Sequence, residues 1–260
     1  MRAATDPRVD LETLQQRLRG FRVGGMAKAL PGRVIQARAR ECDYLEFLDE
    51  LVTDELDKRR DTLIERRFKT SRLPCRKNLE EFDFGFNASI PKRRVMELGS
   101  ARFIAQACNV LLIGQPGVGK THLAVALGMQ AILQAYTVSY RSAFDLVDEL
   151  AEAATISVAA RKKRIGTMVQ AQLLIIDEFG MRSLPANAAE DFLEIIHRRH
   201  GKGATLIATN RPVEDWGKIL GDNAATSAIL DRFLDLAELI PIEGKSYRTG
   251  RKKEDTATTD

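Results

Sequence analysis

The sequence is poor in cysteine and lacks any run of apolar residues long enough to cross a membrane. Its three cysteines, Cys42, Cys75 and Cys108, lie far apart and form no C-x-x-C pair, which argues against a disulfide framework and against a zinc site. The first residues include Asp6 and Glu12 and show no apolar segment of the signal-peptide type. These absences predict a soluble, cytoplasmic protein with no membrane partner.

Charge is distributed unevenly along the chain. Residues 1–78 carry 18 Lys and Arg against 13 Asp and Glu, whereas residues 79–260 carry 22 against 23. A basic N-terminal part attached to a near-neutral remainder favours an anionic partner, with nucleic acid as the leading candidate. The alternative is a solvated helix surface rich in arginine, and charge alone does not decide between the two.

A phosphate-binding motif lies near the middle of the chain. The apolar run Val110 to Ile113 predicts a buried strand, the next eight residues match G-x-x-x-x-G-K-[ST] throughout, and a helix follows. Glycines let backbone N–H groups converge on phosphate oxygens, Lys120 supplies a point charge, and the Thr121 hydroxyl is a candidate Mg²⁺ ligand. The predicted nucleotide-binding residues are Gly114, Gln115, Pro116, Gly117, Val118, Gly119, Lys120, Thr121 and His122.

A second marker is the apolar run from Leu173 that ends in Asp177 and Glu178. A continuously apolar strand is typical of the centre of a parallel sheet, and ligands bind beyond the carboxyl ends of such strands. Asp177 is therefore a candidate Mg²⁺ ligand opposite Thr121, and Glu178 a candidate base for a water that attacks the γ-phosphate. Asn210 ends a third apolar strand and is placed to reach the attacking water or the γ-phosphate, and the alternative is a capping Asn in a turn.

The rest of the pattern predicts an α/β fold with a parallel sheet flanked by helices, preceded by a small helical domain. We expect a helical, basic domain for DNA binding or oligomerisation over residues 1–76, a linker and lead-in helix over 77–107, an ATPase domain over 108–248 and a disordered tail over 249–260. Glycine pairs and Pro31 predict turns between short N-terminal helices. Lys92 to Ala107 predicts one helix, Tyr136 to Tyr140 a strand, and 155–170 a polar helix. The segment around Phe82, Phe84 and Phe86 predicts an extended linker packed across the nucleotide domain.

Two basic clusters are candidate DNA contacts, although each also fits a solvated helix surface. They consist of Lys58, Arg59, Arg66 and Arg67 in one predicted helix and Arg161, Lys162, Lys163 and Arg164 in another.

Several motifs follow one another in an order that resembles a known family. They are Gly-Lys-Thr-His at 119–122, Leu-Leu-Ile-Ile-Asp-Glu at 173–178, Ala-Thr-Asn at 208–210, Trp-Gly at 216–217, Leu-Asp-Arg at 230–232 and Gly-Lys-Ser-Tyr-Arg at 244–248. Together they resemble the IstB-like ATP-binding helpers of insertion-sequence transposition, relatives of the DnaC-type helicase loaders among the AAA+ ATPases. The resemblance extends from about Leu11 to Arg248 and departs at Met181, where the family usually has tyrosine.

The resemblance implies a P-loop AAA+ core that binds ATP and Mg²⁺ between neighbouring subunits of a homo-oligomer, in a ring, spiral or filament. It implies that Arg232 is an arginine finger for the next subunit, that Asn210 and Arg248 are the first and second sensors, and that residues 142–164 lie in a DNA-contacting element. We also expect this sequence to depart from larger AAA+ proteins in lacking their separate C-terminal helical lid.

The function implied is a DNA-stimulated ATPase that assembles on double-stranded DNA and presents a target site to a partner transposase. Two alternatives share the ATP core. One is a DnaC-type helicase loader that acts on single-stranded DNA, and the other is a P-loop ATPase with no role in nucleic-acid binding, whose hydrolysis would be insensitive to DNA and salt.

Overall fold

A computed structural model describes residues 10–181, 183–185, 188–244 and 246–247. The predicted tail at 249–260, the first nine residues and the sensor candidate Arg248 lie outside the described residues. The chain divides between Arg66 and Arg67 into two compact units. Within the described residues, no helix is both long and apolar enough to span a bilayer.

The second unit is built on a five-stranded sheet, and every paired strand in it is parallel. The strands lie in the order β2-β3-β4-β1-β5, so the chain leaves β1 for the far edge and returns through β3 and β4. Apolar runs buried on both faces make these strands, as in β3, whose first four side chains are fully buried. Their bounds are β1 (Asn109–Gly114), β2 (Val138–Ser142), β3 (Leu173–Phe179), β4 (Ala204–Thr209) and β5 (Ala237–Ile242).

Helices connect and cover the strands. One of the long helices of the second unit is α6, which has nine buried residues. Its apolar side chains are therefore distributed around the whole helix. A hydrophobic core that includes residues of α7, α8, α9 and α11 holds Phe179, Phe192, Trp216 and Phe233, none of them more than 1% exposed. The helices are α1 (Leu11–Gly20), α2 (Gly24–Arg40), α3 (Tyr44–Ser71), α4 (Lys92–Gly99), α5 (Arg102–Ala105), α6 (Lys120–Leu133), α7 (Ala143–Ile156), α8 (Val158–Gln170), α9 (Ala188–Arg199), α10 (Trp216–Leu220) and α11 (Asn223–Leu234).

The first unit is helical, but its proline does not make the predicted turn. Pro31 lies inside α2, where it cannot donate a hydrogen bond to the carbonyl of Ala27. The Gln15 amide of α1 donates to that carbonyl instead, at 2.7 Å, so the helix continues. Gly25 also belongs to α2, and a Cβ there would lie 2.7 Å from the Cα of Glu55 on α3. The glycine allows two helices to approach closely.

Three other boundaries differ from the sequence expectations. The helix predicted over 92–107 is two helices, because Ala101 adopts a left-handed conformation with φ of 56°. The helix predicted over 155–170 is interrupted at Ser157, which is extended and caps α8 through its hydroxyl. Strand β2 begins two residues late, since Tyr136 N bonds back to Ala131 of α6.

Candidate nucleotide-binding site

The predicted phosphate loop joins β1 to α6 in the expected strand–loop–helix order. Gly117 and Gly119 have φ of 84° and 105°, which residues with a Cβ rarely adopt, and Gly119 is the N-cap of α6. A Cβ on Gly114 would lie 2.0 Å from the carbonyl oxygen of Ile242 on β5. The glycines thus allow the loop to place its backbone amides at the N-terminus of α6. These amides and the helix dipole favour binding of an anion there.

The first turn of α6 carries the predicted charge and metal ligand. Lys120 Nζ donates to the carbonyl oxygens of Gly114 and Gln115, at 2.8 Å each, so the ammonium group lies over the loop. Thr121 is exposed beside it. The loop therefore offers backbone donors, a cation and a hydroxyl to one bound anion.

Asp177 lies at the carboxyl end of β3 and is only 1% exposed. One carboxylate oxygen accepts a hydrogen bond from the Tyr140 hydroxyl and the other from Glu178 N, both at 2.8 Å. Burial, followed by the charge of Asp177, raises the pKa of Tyr140, so the phenol remains a donor.

The surroundings of Asp177 fit a divalent cation. Among the described residues, no Lys or Arg forms an ion pair with this carboxylate, and a buried charge without such a partner is costly unless a metal completes the site. No group of three His, Cys, Asp or Glu side chains able to hold a metal occurs among the same residues. One carboxylate and one hydroxyl suit Mg²⁺, which keeps several waters and takes further ligands from phosphates.

Glu178 lies in an irregularity of β3 that re-aims its side chain. The β3–β4 pairing shifts between Ile176 and Phe179, so three residues of β3 advance against two of β4. Within this bulge Glu178 has φ of 57° and is exposed, while its neighbours are buried. A non-glycine residue in this conformation is strained, and bulges of this kind are common beside active sites.

Asn210 follows β4, which separates β1 from β3 in the sheet. Neighbouring strands lie about 4.8 Å apart, so the loop and Asp177 flank Asn210 at the same edge. Asn210 Oδ1 is buried and has no hydrogen-bond partner among the residues that the structure describes. A buried acceptor left unsatisfied costs free energy, which a bound water would recover.

A cavity of about 500 Å³ adjoins the phosphate loop. The residues 78–91, here called the aromatic segment, form one wall as a series of turns and not as the extended linker predicted. The rings of Phe82 and His122 pack edge to face with their centroids 5.1 Å apart. The centroids of the Phe86 and Tyr247 rings are 4.8 Å apart. The lining residues are Pro74, Cys75, Lys77, Glu81, Phe82, Asp83, Phe86, Asn87, Gly117, Val118, Gly119, Lys120, Thr121, His122, Val125 and Tyr247.

The pocket residues of the aromatic segment were not predicted as site residues. Their alternating phenylalanines were a usable signal, but the sequence did not show which of them reach the loop. An Asx turn at Asp83, whose carboxylate accepts from Gly85 N and Phe86 N, sets their directions. Two hydrogen bonds between Ser89 and Glu243 fasten the segment beyond β5. Burial, then Lys77, lowers the pKa of His122, which favours the neutral imidazole.

Among the described residues, the Arg232 side chain does not hydrogen-bond to the phosphate loop, Asp177, Glu178 or Asn210. It lies on α11, where Nε donates to His197 Nδ1 of α9 and Nη1 donates to Ala228 O, each at 3.0 Å. Neither hydrogen bond is to the phosphate loop. The second-sensor candidate Arg248 lies outside the described residues.

The predicted DNA-contacting cations differ in their availability. Arg161 pairs with Asp191 and Glu194 of α9, whereas Lys162 and Lys163 are exposed. Arg164 lies 3.7 Å from Glu149.

In the other cluster, Lys58, Arg59 and Arg66 are exposed and Arg67 is half-buried. Arg59 pairs with Glu55 at 2.7 Å. Exposure therefore favours Lys58, Arg66, Lys162 and Lys163, whereas Arg59 is exposed but held by its ion pair.

Comparison with solved structures supports the fold. The crystal structure of the DnaC helicase loader matches with a TM-score of 0.52 at 23% identity, over 68% of this chain and 98% of that chain. AMPPCP-bound DnaA from Aquifex aeolicus matches with a TM-score of 0.54 at 23% identity, over 70% and 55%. At such identity the likeness shows the fold, which is that of AAA+ P-loop proteins.

Comparison with protein sequences is more specific. The "Insertion sequence IS21 putative ATP-binding protein" of Pseudomonas aeruginosa is 36% identical over 248 residues, covering 94% of this chain and 90% of that protein. The "Insertion sequence IS5376 putative ATP-binding protein" of Geobacillus stearothermophilus is 35% identical over 228 residues, covering 88% and 90%. The family model described as "IstB-like ATP binding protein" matches residues 16–255. This chain belongs to the family of IstB-like ATP binding proteins.

Proposed function

We propose that this protein is a Mg²⁺-dependent ATPase that assembles on duplex DNA and assists a partner transposase in insertion-sequence transposition. The observation that carries the proposal is the arrangement of three strand ends. The phosphate loop after β1, Asn210 after β4 and the Asp177–Glu178 bulge of β3 meet at one edge of the sheet. Charged ligands of α/β proteins bind at this edge.

The phosphate loop and Lys120 would bind the nucleotide phosphates. Lys120 exchanges its two carbonyl acceptors for phosphate oxygens, which bind a cation more strongly because they carry charge. Thr121 and Asp177 would hold Mg²⁺. When bound, this ion neutralises charge that develops on the transferred phosphoryl group.

Two side chains would handle the attacking water. Glu178 is exposed at the bulge and acts as the base that accepts its proton. The unsatisfied Oδ1 of Asn210 accepts the other hydrogen of the same water and fixes its direction. Glu178 follows Asp177 on β3, and Asn210 follows the neighbouring strand β4, so the two side chains would hold a water for in-line attack on the γ-phosphate.

The aromatic cavity would take the adenine base. Its size and apolar walls suit a planar heterocycle, and Phe82, Phe86 and Tyr247 present aromatic surfaces next to the loop. Tyr247 N donates to Gly117 O at 2.9 Å, which ties this wall to the phosphate site.

Arg232 would act in a neighbouring subunit. Its side chain donates to His197 of α9 and to Ala228 O, and these two hydrogen bonds leave the phosphate loop of its own chain uncontacted within the described residues. An arginine supplied in trans raises hydrolysis by several orders of magnitude in related nucleotide hydrolases, so hydrolysis would require assembly. Arg248 would sense the nucleotide as a second arginine.

The DNA and transposase roles rest on the relatives and on charge. The relatives named above are insertion-sequence proteins, and this chain covers about nine-tenths of each. Exposed Lys58, Lys162 and Lys163 offer contacts to the phosphates of duplex DNA.

Two substitutions test the ATPase part. Lys120→Ala is expected to lose ATP binding. Glu178→Gln is expected to keep ATP binding and to lose hydrolysis by about 100-fold or more, because the base is gone while the binding groups stay. ATP affinity and single-turnover hydrolysis should be measured on the same samples. Turnover in Glu178→Gln equal to wild type would remove Glu178 from this role.

A further inference from the structure

Tyr140 lies one strand away from the metal-ligand candidate. Strands β2 and β3 pair in parallel, with Tyr140 opposite Ile175 and Ser142 opposite Asp177. Side chains two residues apart share a face of a strand, so Tyr140 and Asp177 are diagonal neighbours on one face of the sheet. The ring spans this diagonal, and its hydroxyl donates to Asp177 Oδ2 at 2.8 Å.

This hydrogen bond is one of two that orient the carboxylate. Glu178 N donates to the other oxygen, Oδ1, at 2.8 Å. Two donors on two oxygens fix the rotation of the carboxylate about its terminal torsion, which is otherwise broad. Each oxygen keeps a second lone-pair direction for a further ligand.

Binding of the cation should depend on the orientation of the Asp177 carboxylate. Thr121 and Asp177 are the two protein groups proposed to hold the cation, and waters and phosphates would supply its other ligands, so a misplaced carboxylate removes half of the proposed protein coordination. Groups that hydrogen-bond a metal ligand from behind commonly change metal affinity by 10- to 100-fold when they are removed.

We propose that Tyr140 is a positioning residue of the nucleotide site, whose hydroxyl orients Asp177 and thereby sets the affinity for Mg²⁺ together with nucleotide. This inference rests on the proposed function. Tyr140 lies outside the nucleotide-binding motifs of the sequence, so the motifs did not predict it. It reaches Asp177 through the register of β2 and β3.

The test is the binding of AMPPCP to the full chain over a titration of Mg²⁺, and again in EDTA. Tyr140→Phe keeps the ring and removes the hydroxyl, so its affinity in EDTA is expected to equal that of wild type. The Mg²⁺ concentration for half-maximal enhancement should rise on the order of 10-fold. Tyr136→Phe, which removes a hydroxyl four residues earlier, is the matched control and should leave both values unchanged.

A double substitution separates positioning from a merely structural role. If Tyr140 acts through Asp177, adding Tyr140→Phe to Asp177→Asn causes no further loss of Mg²⁺-dependent binding. A further loss, or a fall of affinity in EDTA with Tyr140→Phe alone, would show that the phenol supports the fold and would overturn the inference.

The remaining outcomes distinguish this inference from the proposed function. Wild-type binding that depends on Mg²⁺ together with an unchanged Tyr140→Phe curve overturns the inference and leaves the function standing. Wild-type AMPPCP binding that is absent or independent of Mg²⁺ overturns both.

Discussion

Single residues divide the nucleotide site into a part with charge and a part with aromatic surface. Lys120, Asp177 and Glu178 belong to the first part, and the roles proposed for them follow from the chemistry of phosphates and metal ions. Phe82 belongs to the second, since its ring lies against His122 and would be 2.9 Å from a Cβ on Gly119. The contributions of the two parts to affinity should therefore be distinguished by comparing a ligand that has phosphates and a base with one that has phosphates alone.

Phe82→Ala is expected to weaken ATP binding roughly 10-fold, because stacking of a base on an aromatic ring contributes about 1–3 kcal/mol. Binding of inorganic triphosphate, which has no base, should be unchanged. Phe84→Ala is the control, since Phe84 contacts Phe82 but does not line the cavity. Both affinities can be measured by titration calorimetry. An equal loss for ATP and triphosphate would place Phe82 outside the base site.

At the scale of elements, the C-terminal end of α9 supplies a buried arginine that hydrogen-bonds to two neighbouring elements. Arg199 is 1% exposed, and it donates to Met168 O at 2.7 Å, to Ala171 O at 2.6 Å and to Thr205 Oγ1 at 2.9 Å. It thus satisfies carbonyls at the end of α8, which have no partner within their own helix, and joins them to β4. Burial lowers the pKa of Arg199 to about 10, so the guanidinium remains cationic at neutral pH.

Arg199→Ala is expected to destabilise the second unit by about 3–5 kcal/mol, because several buried carbonyls lose their donor at once. Arg198→Ala is the matched control. Arg198 is exposed and, among the described residues, forms its ion pair with Glu194 alone, so its loss should change stability by less than about 1 kcal/mol. Denaturant unfolding followed by fluorescence reports on this unit, because Trp216 is the single tryptophan and is fully buried there. Similar stability of the two variants would refute this account of Arg199.

The predictability of each element follows from the range of its contacts. The strand, phosphate loop and helix around Lys120 depend on neighbouring residues, so the sequence predicted them. The Tyr140–Asp177 hydrogen bond joins residues 37 positions apart and depends on the register of two strands, which no local pattern gives. Pro31 was misread because the donor that replaces its missing N–H comes from Gln15 in another helix. The pocket role of Phe82 required the turns of the aromatic segment.

At the scale of the whole molecule, ATP and DNA binding should depend on each other. The phosphate loop lies in the second unit, and the exposed basic residues lie in both units. If Arg232 completes the site of a neighbour, then a bound γ-phosphate joins two subunits. A duplex long enough for several subunits would then be bound more tightly than a short one, and phosphate contacts would make binding fall steeply with salt.

The most direct test of this account is duplex DNA binding as a function of duplex length, with ATP, with ADP and without nucleotide. Single strands of equal length serve for comparison. The account predicts tight, length-dependent duplex binding only with ATP, its loss in Lys120→Ala, and its weakening in Arg232→Ala although that variant still binds ATP. Binding that ignores nucleotide, a preference for single strands, or no binding to either DNA would contradict it.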